Sequence, residues 1–221
     1  MDTKEIIQKT LSFLQQEKVI LYPTDTIWGL GCDAFSQKGI QRIQQIKQRP
    51  LAKSFILLVS SREMLEHYVE IPSEISTFLA QQQRPTSVIY TEVYDKRLPV
   101  AEDNSLAFRV VQDDFCKQLI EALGSPLIST SANISGEPSP TAFDQIDPII
   151  QQAVDFVVPY HQEKQQKCFG FTIGKVTRGT SGIYKKIRKI NFQKKTDYLK
   201  KRTIFAPLKI SIFHEERPTN F

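Results

Sequence analysis

Two threonines flank an acid in Tyr22-Pro23-Thr24-Asp25-Thr26-Ile27-Trp28-Gly29-Leu30-Gly31, directly after a short apolar run at residues 19–22. In an open α/β sheet, ligands bind beyond the carboxyl ends of strands, and glycines let a backbone approach them closely. The stretch is thus a candidate ligand loop, although from spacing alone a turn capped by Thr or Asp side chains explains it better. It is neither a Gly-Lys-Ser/Thr phosphate loop nor a G-x-G-x-x-G fingerprint.

A second candidate is Lys47-Gln48-Arg49-Pro50-Leu51-Ala52-Lys53. Three separated cations could grip a triphosphate and offset charge at a reacting phosphorus. Arginine suits bidentate phosphate contacts, while lysines act as movable point charges. The bland alternative is cations complementing a helix C-terminus. The third candidate, residues 129–141, reads Ser-Thr-Ser-Ala-Asn-Ile-Ser-Gly-Glu-Pro-Ser-Pro-Thr and is dense in hydroxyl donors. It suits an oxygen-rich ligand, or the capping of a following helix. Arg109 is the fourth, alone in the apolar run Leu106-Ala107-Phe108-Arg109-Val110-Val111. A charge there is costly unless paired; a ligand carboxylate or a structural Asp or Glu would satisfy it. His67, His161 and His214 have no metal-ligand spacing, and no Ser-His-Asp or Cys-His grouping stands out.

The elements that must position these residues follow from periodicity. Ile6, Ile7, Leu11 and Leu14 predict a helix over residues 3–16, and Ile40, Ile43 and Ile46 another over 36–48 that ends at Pro50. Further helices are expected at 62–68, 73–83, 113–123 (stopped by Gly124) and 141–153. Strands are expected at 19–22, 54–60, 87–91, 105–111, 126–129 and 155–159, with a terminal hairpin from 171–176 and 182–190. The polar stretch 92–104 reads as a long loop. Alternating strands and helices with late strand pairs imply an α/β sheet that is partly antiparallel. One domain is expected over residues 1–190, with 191–221 as a basic extension in which 204–213 alternates like a strand.

Composition sets outer limits. Of 221 residues, 40% are hydrophobic and 24% charged, as in ordinary globular proteins. No apolar run approaches the roughly 20 residues of a membrane span. Cys32, Cys116 and Cys168 are widely spaced, which fits a reducing compartment, so a cytoplasmic protein is expected. The net charge of +5 is local: residues 185–202 hold nine of the 29 basic residues and one of the 24 acidic ones. That run could attract RNA, or could be a solvated face.

Taken together and in this order, the motifs closely resemble the YrdC-like family of threonylcarbamoyl-AMP synthases. The resemblance rests on residues 22–31, Lys47-x-Arg49-Pro50, Ala107-Phe108-Arg109, and residues 129–139, and it covers roughly residues 4–190. It implies an α/β fold, a twisted mixed parallel/antiparallel sheet flanked by helices around a basic cavity. It implies a nucleotidyltransferase that condenses L-threonine, bicarbonate and ATP to threonylcarbamoyl-adenylate and pyrophosphate, for threonylcarbamoyladenosine modification of tRNA. The family's marker set falls on Lys47, Arg49, Ser131 and Asn133. By the same resemblance, Lys47, Arg49, Lys53, Ser105, Ser131, Ser139 and Arg188 would contact ATP; Thr26, Leu58, Arg109, Ser129 and Thr172 would hold threonine. Mg2+ would accompany the phosphates rather than occupy a protein metal site. The product would pass to the proteins that transfer the group to tRNA, and no membrane is involved. The family's Pro-Gly-Pro-x-Thr stretch is altered here to Gln83-Arg84-Pro85-Thr86-Ser87, and its late Ser-Ser/Thr motif to Phe171-Thr172. Two rivals remain open: a non-catalytic RNA-binding factor of the same fold, and a paralogue that adenylates another carbamate.

Overall fold

In the computed structural model, residues 1–48, 55–101, 104–163, 172–176 and 190–191 are described, the last two stretches by backbone alone. Helix α1 (Thr3–Gln15) begins with a reciprocal cap: the Asp2 carboxylate accepts the Glu5 N–H at 2.8 Å, and the Glu5 carboxylate accepts the Asp2 N–H at 3.0 Å. Its stripe of Ile6, Ile7, Thr10 and Leu14 is buried. Helix α2 (Gln37–Ile46) is capped by Ser36, whose hydroxyl accepts the Gly39 N–H, and it buries Ile40, Ile43 and Ile46. Helices α3 (Arg62–Glu66) and α4 (Ser73–Ala80) follow where expected. Helix α5 (Asp114–Leu123) runs from its Asp113 cap to Gly124, which takes the left-handed conformation at φ 72°.

Among the described residues, nine strands form one mixed sheet. They are β1 (Ile20–Tyr22), β2 (Gly29–Gly31), β3 (Ile56–Val59), β4 (Thr86–Tyr90), β5 (Leu106–Val110), β6 (Leu127–Ser131), β7 (Phe156–Val157), β8 (Thr172–Val176) and β9 (Ile190–Asn191). Their order across the sheet is β7-β1-β2-β6-β3-β5-β4-β8-β9. The pairs β1–β7, β3–β5 and β4–β8 are parallel; the other five are antiparallel. The expected mixture of strand directions is therefore present. Of the terminal hairpin, β9 pairs antiparallel with the start of β8, while residues 177–189 lie outside the described residues. The alternating run 204–213 lies outside them as well.

Side chains alternate between two apolar layers. On one face Leu57, Phe108, Ile128 and Val88 pack with Ile43 of α2, Leu65 of α3 and Phe78 of α4. On the other, Leu58, Leu127 and Tyr22 pack with Ile6 of α1 and with Phe115 and Leu119 of α5.

Two expectations are corrected. The single helix over 141–153 is two pieces, a 3-10 turn at Phe143–Gln145 and helix α6 (Pro148–Ala153). Pro148 has no N–H to continue a helix, so it serves as a first-turn residue behind the Asp147 cap. The 22–31 stretch is also not all loop, because its glycines lie in β2, between β1 and β6. A Cβ on Gly31 would lie 2.7 Å from Tyr22 Cε1 and 2.8 Å from Ile128 O. Packing against the protein's own tyrosine, rather than approach to a ligand, requires glycine there.

Candidate active site

The loop between β1 and β2 is held by its own hydroxyls. Thr24 Oγ1 accepts the N–H groups of Thr26 and Ile27 at 3.1 and 3.3 Å and donates to Ile27 O at 2.8 Å. With its one proton so used, Thr24 accepts from Thr26 Oγ1 at 2.9 Å. Thr26 Oγ1 in turn accepts from Arg109 Nη1 at 3.3 Å. One directional chain thus runs from the guanidinium through two buried threonines into the turn. The capping explanation of this stretch and its placement beside Arg109 both hold.

Arg109 faces the same side of the sheet as its register partners, Leu58 on β3 and Ser87 on β4. Its Nη2 lies 3.2 Å from Asp25 Oδ1, with both side chains about 95% buried (5% and 6% exposed). A structural carboxylate therefore pairs with the buried charge, the second of the two options that the sequence left open. The pair is close but not aligned as a hydrogen bond, and Asp25 Oδ2 instead accepts the Gln112 N–H at 3.3 Å. Arg109 Nε, Ser87 Oγ and the Tyr22 hydroxyl are all buried with no hydrogen-bond partner among the described residues. Such orphans are rare in folded proteins and mark places where a ligand or water belongs.

Neighbouring groups are kept neutral. Burial pushes the Tyr22 phenol well above its ordinary range; nearby Cys116 adds to the shift, and Ser129 and Arg109 oppose it. Burial also raises the Cys116 thiol, with Asp113 and Asp25 adding to the effect, and its Sγ lies 3.6 Å from Pro23 O. Cys32 is raised chiefly by burial, so neither buried thiol is poised as a nucleophile.

Strand β6 links this region to the second one. Ser129 and Ser131, two residues apart, emerge on the same face. Ser129 Oγ abuts the bare face of Gly29, where a Cβ would lie 3.3 Å away. Ser131 Oγ donates to Asn133 Oδ1, and Asn133 Nδ2 donates to Ile134 O at 3.0 Å and Glu137 O at 2.8 Å. Lys47, the C-cap of α2, is 3% exposed and donates through Nζ to Ser131 O and, at 2.7 Å, to Asn133 O. Its own carbonyl accepts the Ser135 N–H at 3.0 Å. The lysine therefore joins the helix end to the hydroxyl-rich loop, beyond merely complementing a helix dipole.

The structure brings Lys47, Ser131 and Asn133 together, and separately Thr26 and Arg109, with Ser129 on the strand between. Leu58 is fully buried beside Arg109 in the apolar floor. Thr172 pairs with Thr86 of β4, two strands from β5. Ser105 is buried just before β5, and Ser139 is exposed beyond Asn133. Arg49, Lys53 and Arg188 lie outside the described residues. Asp25, Ser87 and Tyr22 were not singled out as site residues from the sequence. Asp25 sits within the quoted motif, but Ser87 carries no signal until β4 sets it opposite Arg109.

A mixed sheet of this order, with helices packed on both faces, defines an α/β protein. The Sua5/YciO/YrdC family model, described as telomere recombination, matches residues 12–183, and the chain belongs to this family. It is 34% identical over 157 residues to a threonylcarbamoyl-AMP synthase of Xanthomonas euvesicatoria, covering 69% of this chain and 84% of that one. It is 38% identical over 141 residues to one from Yersinia enterocolitica, covering 62% and 74%. Among solved structures, Sua5 of P. abyssi complexed with L-threonine superposes with a TM-score of 0.66 at 23% identity, over 79% of this chain. The match spans about half of that longer protein, 52%. No helix among the described residues is long and apolar enough to cross a membrane.

Proposed function

We propose that this chain is a threonylcarbamoyl-AMP synthase. One observation carries the reading: β6 carries both Ser129, whose Oγ abuts Gly29 beside the β1–β2 loop that holds Thr26, and Ser131, which joins the Lys47–Asn133 group. At about 3.3 Å per strand residue the two serines stand about 7 Å apart, a gap that a small amino acid can bridge. The names of the Xanthomonas and Yersinia relatives, and the threonine bound to the P. abyssi protein, support the same assignment.

In this scheme the threonine amine adds to CO₂ from bicarbonate and loses a proton, giving a carbamate. A carbamate oxygen attacks the α-phosphorus of ATP; the bond to the β-phosphate oxygen breaks, and pyrophosphate leaves. No protein nucleophile is needed, so positioning and charge neutralisation suffice. Arg109, Thr26, Ser129 and Thr172 would hold threonine over the Leu58 floor. Lys47, Arg49, Lys53, Ser105, Ser131, Ser139 and Arg188 would meet the nucleotide. Among the described residues no group of three His, Cys, Asp or Glu side chains could hold a metal ion. Mg2+ would accompany the phosphates, with phosphate oxygens and water as its donors. Residues 1–190 would form the catalytic unit, acting in the cytoplasm and passing the mixed anhydride to a tRNA-modifying transferase. Direct RNA contact would fall to the basic run 185–202, which lies outside the described residues apart from the backbone of 190–191.

Pyrophosphate release from ATP, with threonine and bicarbonate omitted in turn, tests the proposal. Release should need both; release indifferent to threonine would rule the synthase out.

A further inference from the structure

We propose that Asp25 is a positioning residue, whose carboxylate orients the Arg109 guanidinium so that its buried, unpartnered Nε is directed at the carboxylate of a bound α-amino acid. The inference rests on reading this site as an amino-acid pocket, and it assigns Asp25 a role distinct from substrate contact.

Three observations carry it. First, both terminal nitrogens have partners within the protein, Nη1 hydrogen-bonded to Thr26 at 3.3 Å and Nη2 ion-paired with Asp25 at 3.2 Å, while Nε has no hydrogen-bond partner among the described residues. An arginine has five N–H donors in a rigid fork, so a hydrogen bond at one terminal nitrogen and an ion pair at the other limit the directions that Nε can take. Second, the unpartnered Nε does not stand alone. Ser87, the register partner of Arg109 on β4, is fully buried with its hydroxyl also unpartnered. A donor and a hydroxyl on adjacent strands suit the two oxygens of a carboxylate. Third, Asp25 is itself anchored, because its Oδ2 accepts the Gln112 N–H three residues beyond Arg109 on the same chain segment. The carboxylate therefore ties the β1–β2 loop to the exit of β5, and guanidinium and loop move together.

A positioning role and a purely neutralising role predict opposite signs. If Asp25 only offset the charge of Arg109, removing its charge would strengthen attraction for a substrate carboxylate, and threonine would bind more tightly. If Asp25 orients the fork, the same change lets Arg109 swing and weakens threonine binding while ATP binding is unaffected.

The test uses the full chain, with threonine binding measured by calorimetry and pyrophosphate release by steady-state kinetics. Asp25→Asn should raise the threonine Kd and KM by about tenfold or more, with the ATP KM within about twofold of wild type. Asp25→Glu, which restores the charge on a longer arm, should recover part of that loss. A threonine Kd for Asp25→Asn that is unchanged or lower overturns the positioning role and leaves the synthase reading intact. If Asp25→Asn does not fold, Asp25→Glu carries the test alone: a raised threonine KM with an unaltered ATP KM supports the role, and wild-type values for both overturn it. A wild-type protein that binds no threonine overturns the functional reading and this inference together.

Discussion

The Lys47 ammonium reaches across from the end of α2 to the backbone of β6 and the turn beyond it, donating to Asn133 O at 2.7 Å and to Ser131 O. The two carbonyls lie two residues apart, on either side of Ala132, whose own N–H is spent on Trp28 O at 3.0 Å. The lysine thus shapes the loop that carries Ser131 and Asn133, and a loss there removes both a charge and the geometry of its neighbours. Lys47→Met keeps the length of the arm but deprives Asn133 O of this donor, at a cost of about 1–3 kcal/mol if it stays buried, while Ser131 O keeps the Asn133 N–H at 2.9 Å. Pyrophosphate release should fall by about 100-fold or more. Lys47→Arg should not rescue it, because a planar fork cannot occupy the place of a compact ammonium. Steady-state assays with a parallel melting curve separate the catalytic from the structural part.

Thr26→Val tests the other half of the site. Valine matches threonine in shape but breaks the hydroxyl chain between Arg109 and Thr24. The threonine KM should rise while the ATP KM holds, with about 1 kcal/mol of stability lost for the buried hydrogen bonds. Equal rises in both KM values would mean that the two halves are not separate.

The candidate site was legible so far as its residues fall in contiguous motifs: 22–31 and 129–139 each join a strand to a loop, and Lys47 closes α2. The alternation of strands and helices was legible for the same reason, since periodicity is local. What escaped depends on register. The burial of Arg109 beside Ser87 exists only once β4 and β5 pair, and nothing within 83–87 announces it. Strand β2 was hidden because Gly29 and Gly31 carry no strand propensity and are placed by close packing, Gly29 against Ser129 and Thr130 and Gly31 against Tyr22 and Ile128. The helix expected over 141–153 failed at Pro148, where apolar spacing outweighed the proline's lack of an N–H.

Asp113 gives a pH signature. Its Oδ1 caps α5 at the Cys116 N–H, 2.8 Å away, while Oδ2 is buried without a partner. Burial raises its pKa above the ordinary 3.8, the nearby Asp25 charge adds to the rise, and the hydrogen bond from Cys116 opposes it. A raised folded pKa means that the folded state binds the proton more tightly than the unfolded chain. The stabilising contribution is therefore complete below about pH 3.8 and is lost as pH rises through the folded pKa. Asparagine caps a helix about as well as aspartate. Asp113→Asn should accordingly melt above wild type at pH 7, and the advantage should disappear as pH falls toward 3.8. Melting curves across that range check it; an advantage that persists at the acid end would mean that the carboxylate's charge is not its cause.

Gly31→Ala separates crowding from backbone strain. Among the described positive-φ residues, the glycines are Gly124 and Gly136, so Gly31 is not required for its dihedral angles. Its demand is for space: the added methyl would stand 2.7 Å from a Tyr22 ring carbon and 2.8 Å from Ile128 O, and the second is backbone that cannot swing away. Overpacking of this kind costs about 1–3 kcal/mol. At Gly124 a Cβ meets nothing within 4 Å, but φ is 72°, so Gly124→Ala costs only the left-handed strain, about 1 kcal/mol. Gly31→Ala should therefore show the larger drop in Tm. It should also raise the threonine KM, since displacing the fully buried Tyr22 ring disturbs the pocket beside Ser129, whereas Gly124→Ala should leave KM alone. If the two variants lose the same stability with wild-type KM values, β2 does not brace the site.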